Sequence, residues 1–380
     1  GGATVLRRSS SRRLATEPLE AAVLRCEPPN ARLQVLRAGS HGASALAWSP
    51  TGSVLAVALA HGSDSATLRL YSLDVGGEMT HEAVYAHRRL VHQLDWSADG
   101  AYLLSVSADG TAKVWHADAT GPQLALNTAL AHPGFVYSGR FRPHGAATKR
   151  ERAGGDEADG PPLLATGGAD GRLRLWNTQR AEQLAEAPAH SENLNSLSWA
   201  DDTKVWSAGS DGSVRLWMVS TSGGAASTPG TALERRELSG KTINSLELHP
   251  FKRRILLQLR DEHSSLLALD TRLGGVGARY AGHAVGYNFV RASYSPDGRF
   301  VVAGGLDGTA CVWAEDSCQL ISKMAVGVTG PVLHAAWSAV DGVVAFCSHG
   351  PTNPIVLTYH NPNIAAANAE RADNRLAASG

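Results

Sequence analysis

Residues 101–115 read AYLLSVSADGTAKVW. This stretch holds two short runs in which apolar and polar residues alternate, and the pair Asp109-Gly110 separates them. Such alternation is typical of strands with one buried face. An Asp-Gly pair between two such runs is typical of a tight hairpin, because glycine adopts a positive φ at little cost. The stretch therefore predicts two antiparallel strands, the second of which ends at Trp115.

The same pattern recurs along the chain. Repeats of roughly 40 residues are typical of propellers and solenoids. A sheet of three or four strands cannot bury both of its faces alone, so the units must stack, and radial stacking leaves only short edges. We therefore predict an all-β fold, a seven-bladed β-propeller. The predicted ends of the seven repeated strands are Tyr71, Trp115, Trp176, Trp217, Leu269, Trp313 and Tyr359.

Over about residues 31 to 360 these units resemble the WD40 repeat family. In that family a His, a Ser or Thr, an Asp and a Trp form a buried, hydrogen-bonded tetrad in each well-formed blade. In four units the Asp stands six residues before the Trp. The resemblance implies tetrads at His87, Ser105, Asp109 and Trp115; at His132, Thr166, Asp170 and Trp176; at His190, Ser207, Asp211 and Trp217; and, with Ala303 in place of the hydroxyl, at His283, Asp307 and Trp313.

The residue types of a tetrad form a satisfiable chain of hydrogen bonds. The indole N–H reaches the hydroxyl, the hydroxyl reaches one imidazole nitrogen, and the carboxylate holds the other. His, Ser and Asp also make up hydrolase triads. Because the trio recurs in several units and its hydroxyl already has a Trp partner, we interpret it as structural. Units one, five and seven lack the pattern. Unit one has Ser65 and unit five has His263 where Asp is expected. We expect these three blades to be held by apolar packing.

The ends of the chain indicate how the ring closes. Residues 32–37, RLQVLR, look like a strand with no unit of its own, and we expect this N-terminal strand to complete the last blade. We predict a flexible N-terminal tail at 1–30, the propeller at 31–362 and a C-terminal tail at 363–380. The polar, glycine-rich residues 144–162 predict a disordered loop.

Charge and composition exclude several classes of partner. Lysine plus arginine number 35, as do aspartate plus glutamate, so the net charge does not predict binding to nucleic acid. No apolar run is long enough to cross a membrane. The four cysteines show no CxxC pair, so we expect reduced thiols of a cytoplasmic protein, no metal and no cofactor. The basic run RRSSSRR near the N-terminus is either a solvated tail or a phosphate-binding or kinase-target segment.

Protein recognition is expected on the face formed by the loops that enter the first strand of each blade and by the Asp turns. Loops on a rigid scaffold are where binding usually lies. Phe135 and Tyr137 are the strongest candidates, because aromatic side chains make good interface anchors. Counting from the tetrad histidines, the candidates are Leu90, His92, Phe135, Tyr137, Asn193, Asn195, Thr242, Asn244, Asn288 and Leu333.

Longer segments carry a narrower resemblance. AHPGFVYSGRFRPHG from Ala131 and SPDGRFVVAGGLDGTACVW from Ser295, among others, resemble in order the propeller of a family of scaffold proteins of the ciliary transition zone and basal body. The resemblance implies a non-enzymatic protein-interaction scaffold that supports cilium assembly and ciliary protein trafficking, with other proteins as partners.

Two other functions stay open. Residues 269–272, LDTR, resemble a degraded WDxR adaptor-docking motif, which would indicate a substrate receptor of a ubiquitin ligase. A propeller enzyme would need convergent titratable groups in the channel, where the sequence predicts only His92.

Overall fold

The computed structural model describes residues 25–62, 65–74, 77–80, 83–117, 123–143, 163–219, 228–233, 238, 240–261, 266–272, 274–284, 289–339, 342–351 and 353–363. In chain order its strands are β1 (Ala31–Leu36), β2 (Ala43–Trp48), β3 (Val54–Ala60), β4 (Ala66–Asp74), β5 (Gly77–Thr80), β6 (Val84–His87), β7 (Val91–Trp96), β8 (Tyr102–Ser107), β9 (Thr111–Ala117), β10 (Leu124–Ala131), β11 (Val136–Phe141), β12 (Leu164–Gly168), β13 (Arg172–Asn177), β14 (Glu182–Pro188), β15 (Leu194–Asp201), β16 (Lys204–Gly209), β17 (Val214–Met218), β18 (Thr228–Leu233), β19 (Thr242–Leu248), β20 (Arg254–Arg260), β21 (Leu266–Asp270), β22 (Val276–Tyr280), β23 (Ser293–Tyr294), β24 (Phe300–Gly304), β25 (Thr309–Ala314), β26 (Leu320–Ala325), β27 (Val332–Trp337), β28 (Val344–Ser348) and β29 (Ile355–Tyr359).

These strands form seven antiparallel sheets, which are the blades. Blade 1 contains β2 to β5 with β6 beside β4, blades 2 to 6 take four consecutive strands each, and blade 7 contains β27, β28, β29 and β1. The innermost strands of neighbouring blades contact one another in succession, and β27 of the last blade contacts β2 of the first. The predicted all-β, seven-bladed propeller is therefore confirmed.

The ring is closed by strands from the two ends of the described chain. Strand β1 pairs antiparallel with β29, from Ala31 opposite Tyr359 to Leu36 opposite Ile355. Just outside this pairing, the Asn361 N–H donates to Asn30 Oδ1 over 2.7 Å. The prediction that the N-terminal strand completes the last blade is confirmed.

The segment before β1 packs against the propeller, contrary to the predicted boundary of the tail. Cys26 is 1% exposed, and its N–H donates to Asp297 Oδ2 over 2.8 Å. Arg299 donates to the carbonyl of Cys26. The prediction of a flexible tail is thus wrong for residues 26–30, because blade 6 supplies bonding partners for the backbone of Cys26, and His360 and Tyr359 supply those of Pro28 and Asn30. Residues 1–24 and 364–380 and the predicted loop at 144–162 lie outside the described residues.

The hydrophobic core lies between blades rather than within them. Among the described residues there are seven buried apolar clusters, and each joins two neighbouring blades. Trp115 of blade 2 packs with Leu68 and Leu70 of blade 1, and Trp217 of blade 4 packs with Leu173 of blade 3. Full burial of one such side chain contributes about 1.5–3 kcal/mol. Each blade is therefore stabilised by its two neighbours.

The pairing of the innermost strands skips one residue in six blades. Such a bulge bends the strand and turns the skipped side chain in a new direction. The skipped residues include five of the predicted binding residues. They are Ser44, His92, Tyr137, Asn195, Asn244 and Leu333.

The register of the last blade corrects one predicted strand end. In blade 2 the Trp115 position pairs with Leu103, which in turn pairs with Trp96. In blade 7 the same path runs from Trp337 through Val344 to Thr358. The residue equivalent to the blade-ending Trp is therefore Thr358, not Tyr359, because strand pairing and not residue type sets the position.

Deletion of residues 31–38 should open the ring. The deletion removes the β1 ladder and the buried Leu36, so we expect the free energy of unfolding to fall by on the order of 3 kcal/mol or more. Chemical denaturation and limited proteolysis measure the effect, and a truncation of residues 1–24 that keeps β1 is the control. Protease resistance equal to that of the control would contradict this role of β1.

Candidate functional site

Complete tetrads lie in blades 2 and 4. In blade 2, Trp115 Nε1 donates to Ser105 Oγ over 2.9 Å, Ser105 bonds His87 Nε2 over 2.7 Å, and His87 Nδ1 bonds Asp109 Oδ2 over 3.0 Å. A carboxylate only accepts, so Nδ1 carries the imidazole proton and the Ser105 hydroxyl donates to Nε2. The same bonds, at 2.8 to 2.9 Å, join the predicted set in blade 4, which is His190, Ser207, Asp211 and Trp217.

These tetrads are closed to substrates. The Ser105 hydroxyl is fully buried, accepts one bond and donates another, so a substrate carbonyl has no access to it. Burial alone would raise the pKa of Asp109, but hydrogen bonds from His87 and Thr111 outweigh it and hold the pKa far below its usual range. Burial lowers the pKa of His87, against the opposing effect of Asp109. The resemblance of the trio to a hydrolase triad is therefore one of composition only.

Blade 3 departs from the predicted arrangement. Thr166 Oγ1 accepts from Trp176 and bonds His132 Nε2, each over 2.8 Å. His132 Nδ1, however, lies 3.1 Å from the carbonyl of Leu130, and Asp170 pairs with the guanidinium of Arg174. Arg174 is 4% exposed, and a buried cation needs a carboxylate more than a neutral imidazole does. The expected bond between Asp170 and His132 is replaced for that reason.

The incomplete set in blade 6 does not form a tetrad. Because Ala303 offers no hydroxyl, Trp313 Nε1 donates to the carbonyl of Ala281 over 2.7 Å, and His283 Nε2 lies 3.2 Å from Gln258 Oε1. Asp307 accepts from Thr309 and pairs with Lys323 over 3.1 Å. His283 and Trp313 keep only an edge-to-face ring contact at 5.1 Å.

Ion pairs also join blades 5 and 6. Glu315 is 2% exposed and pairs with Arg253 over 2.6 Å and with Arg254 over 2.8 Å. In blades 1 and 5 the predicted apolar packing is present, since Tyr71 and Leu269 are fully buried in clusters shared with the preceding blade. Blade 5 thus combines apolar packing with a buried ionic contact that the sequence pattern did not predict.

Four aromatic rings meet at one end of the channel, and we call them the mouth cluster: His92, Phe135, Tyr137 and Phe289. The rings of Tyr137 and Phe289 stack with centroids 6.0 Å apart, and His92 lies 5.0 Å from Tyr137. Phe135 meets the Tyr137 ring edge-on at 6.3 Å and is 41% exposed. Blades 2, 3 and 6 contribute these rings, so the cluster covers the centre of the predicted binding face.

The other predicted binding residues differ in exposure. Asn195 and Asn244 are buried, and Asn195 Nδ2 donates to Ser210 Oγ and to the carbonyl of Ile243. Asn195 therefore joins the turn at Ser210 to β19, and burial leaves neither asparagine accessible to a partner, which corrects the prediction for these two. Asn288 lies outside the described residues. The half-buried candidates are Leu90, Asn193, Thr242 and Leu333.

Sequence reasoning missed Phe289, Arg89 and Arg291. Counting five residues from the tetrad histidine finds His92 and Tyr137 and predicts Asn288 in blade 6, but there the next residue, Phe289, joins the cluster. The signal that was available is the apolar type of Phe289. The Arg89 guanidinium lies 5.7 Å from the centre of the Phe135 ring, a cation–π contact that only the fold shows.

Below the mouth cluster, charged side chains cross the channel. Arg140 bonds Asp95 over 2.8 Å and Glu247 over 3.2 Å, which joins blades 3, 2 and 5. Arg291 of blade 6 donates to the Tyr137 carbonyl of blade 3 over 3.1 Å. Burial raises the pKa of Asp95 and of Glu247, and Arg140 opposes this shift for both. These groups border a cavity of about 420 Å³, and their formal charges cancel.

The two arginines thus act as braces under the mouth cluster. Both carboxylates are held by Arg140, so neither is free to act as a proton donor or acceptor without breaking an ion pair.

Within the part of the chain that the structure describes, no three His, Cys, Asp or Glu side chains converge as metal ligands. No helix of the described residues is long and apolar enough to span a membrane.

The fold and the repeats define the class: the chain is a seven-bladed β-propeller with WD40 repeats. The sequence profile of the WD40 family (WD domain, G-beta repeat) matches residues 79–116, 127–177, 181–218 and 276–314. Each range begins at the outer strand of one blade and ends with the third strand of the next, and the four ranges end in blades 2, 3, 4 and 6. In these blades the sequence shows the His and Asp-Gly pattern before a terminal Trp.

The chain is also similar to particular proteins. It is 28% identical to jouberin of Rattus norvegicus and 27% identical to jouberin of Mus musculus, over 91% of this chain in both cases. The chain spans 32% of the length of these relatives. It is 22% identical to the denticleless protein homolog of Danio rerio, over 82% of this chain and 52% of that protein.

Replacement of the aspartates six residues before the blade-ending Trp should separate those with buried partners from the exposed Asp307. We expect Asp211→Ala to lower the free energy of unfolding by about 2 kcal/mol, because His190 and the Ser191 N–H lose their acceptor. Asp170→Ala should destabilise at least as much, because it removes a carboxylate from buried Arg174. Asp307→Ala is the matched control, with an effect within about 0.5 kcal/mol. Equal effects of all three in chemical denaturation would contradict this account.

Stability should fall in mild acid because several histidines are buried in neutral form. Burial lowers the pKa of His92, His132 and His283 to about 4 and that of His334 to about 3, from an ordinary value of 6.5. Below pH 6.5 the unfolded chain therefore binds protons that the folded chain does not, and stability present at neutral pH is lost as the pH falls toward 4.

Each of these histidines contributes up to about 1.4 kcal/mol per pH unit within that window. Chemical denaturation at a series of pH values measures the slope. His283→Gln, which removes one titrating group, should show a shallower slope than the parent chain. An unfolding free energy that stays constant between about pH 7 and pH 5 would show that the histidines do not control acid stability.

Proposed function

We propose that this propeller is a protein-interaction scaffold that captures its partners through the mouth cluster. The observation that carries the proposal is the position of Phe135 at the centre of one face. It is 41% exposed and lies edge-on to Tyr137, whose ring stacks on Phe289. A rigid ring holds these rings in place before any partner arrives, which lowers the entropy lost on binding. Central aromatic anchors carry much of the energy of known interfaces.

We further propose that the scaffold is cytoplasmic and works at the ciliary basal body and transition zone, in cilium assembly and ciliary protein trafficking. Two observations support this. Segments of the chain resemble, in order, the propeller of ciliary transition-zone scaffolds, and the similarity to the two jouberins extends over 91% of the chain. The proposal concerns the propeller, since the relatives are about three times as long as this chain.

Localisation in a ciliated cell tests the ciliary proposal. We expect the tagged chain to concentrate at the ciliary base, and proximity labelling to enrich transition-zone proteins over a tagged, unrelated WD40 propeller. Uniform cytoplasmic distribution together with no enrichment of such proteins would reject the ciliary proposal while leaving the binding site untested by that experiment alone.

A substrate receptor of a ubiquitin ligase is the second candidate function. The LDTR motif spans the end of β21 and the turn after it, on the face opposite the mouth cluster, and its Arg272 is exposed. Thr271 Oγ1 bonds the carbonyls of Lys252 and Arg253, which fixes the turn. Co-purification of a ligase adaptor that is lost in Arg272→Ala would favour this function over the ciliary one.

We propose that the chain is not an enzyme. The buried tetrads admit no substrate, and the channel carboxylates Asp95 and Glu247 are both bound to Arg140. In a screen with hydrolase substrates, we expect no turnover by the parent chain and none by Glu247→Gln. Turnover that this variant abolishes would overturn the proposal.

Phe135→Ala combined with Tyr137→Ala should weaken partner capture. Loss of two central aromatic anchors typically lowers affinity about tenfold or more. Pull-down of the proteins found by proximity labelling measures the effect, and melting of the variant verifies that it is folded. Phe135→Ala alone, at the more exposed position, serves if the double variant unfolds.

Phe251→Ala is the matched control, because Phe251 is 59% exposed on the opposite face. We expect this variant to retain every partner. If the double variant and Phe135→Ala both capture all partners as the parent chain does, the mouth cluster is not the binding site.

A further inference from the structure

The charges around the mouth cluster are unbalanced. Arg88, Arg89 and Arg260 are exposed on this face, and no ion pair joins them to a carboxylate within the described ranges. Arg89 lies over Phe135, and Arg260 is close enough to Tyr137 for its charge to act on the phenol. Three cations therefore border an aromatic surface.

The aspartates of the same face are already bonded. Each described aspartate at the turns between second and third strands has a cationic or imidazole partner. Glu192, in the loop before β15, is an exposed carboxylate outside this set. The five bonded pairs are Asp109 with His87, Asp170 with Arg174, Asp211 with His190, Asp261 with Lys241 and Asp307 with Lys323. The local field at the mouth is thus set by the arginines.

We propose that the partner enters the mouth cluster as an acidic peptide segment with one apolar anchor residue. This rests on the proposed function of the cluster as a protein-binding site. The anchor packs against Phe135 and Tyr137, and flanking Asp or Glu side chains pair with Arg89 and Arg260. Opposite charges at the rim of an interface favour this partner and disfavour basic ones.

Single-stranded nucleic acid is the competing occupant, and the geometry disfavours it. Bases need open aromatic faces, but Tyr137 and Phe289 stack on each other with planes inclined by 17°, which leaves no slot between them. Nucleic-acid sites also follow the backbone with a continuous row of cations, whereas here three arginines lie at the rim of one mouth.

Selection from a random peptide library displayed on phage tests the proposal, with the full chain as bait. We expect selected peptides to be enriched in Asp and Glu on either side of an aromatic or aliphatic residue. For a synthetic peptide of the consensus sequence, fluorescence anisotropy should show binding that weakens about tenfold in Arg89→Glu with Arg260→Glu. Lys252→Glu, at an exposed cation next to Phe251 on the opposite face, is the matched control and should bind as the parent chain does.

Enrichment of basic or uncharged peptides, or acidic peptides whose binding is the same in the double charge reversal, would overturn the proposal. The proposal would also be overturned if the selection yields no acidic peptide and an oligouridine probe binds in a way that depends on the arginines. If Phe135→Ala abolishes partner capture while the charge reversal leaves it intact, the binding site stands and the acidic partner class is wrong.

Discussion

Contact between neighbouring blades is the interaction on which every other feature of this molecule depends. Each four-stranded sheet has two apolar faces and no core of its own, so it is stable only with a sheet on either side. The requirement is cyclic. It is satisfied only when the last blade meets the first, and the pairing of β1 with β29 makes that blade complete with strands from both ends of the propeller.

Polar interactions reinforce this packing and vary from blade to blade. Where a hydroxyl, an imidazole and a carboxylate are all present, as at Ser207, His190 and Asp211, they form the buried chain with Trp217. Where one member is missing or drawn elsewhere, the remaining groups find other partners, as His283 does at Gln258. Buried polar groups need a partner, but the partner need not be the same in each blade.

Closure of the ring also creates the features that point to function. Tyr137 of blade 3 and Phe289 of blade 6 are distant in sequence, yet their rings stack over the channel. Arg140 and Arg291 brace the same region from below by bonds to blades 2, 5 and 3. The reactive residue types are mostly engaged in holding this arrangement, which leaves an aromatic, arginine-bordered surface as the feature suited to recognition.

Repeat spacing, Asp-Gly turns and alternation are local properties, and they were enough to predict the seven blades, the strand that closes them and the complete tetrads of blades 2 and 4. Other features depend on neighbours that no local pattern records. Asp170 turns to Arg174, Phe289 rather than Asn288 reaches the mouth cluster, and Thr358 rather than Tyr359 ends the last blade. Hydrophobic periodicity specifies which face of a strand is buried, whereas hydrogen-bond partners, bulges and ring contacts are selected by competition among groups that meet only when the ring is closed.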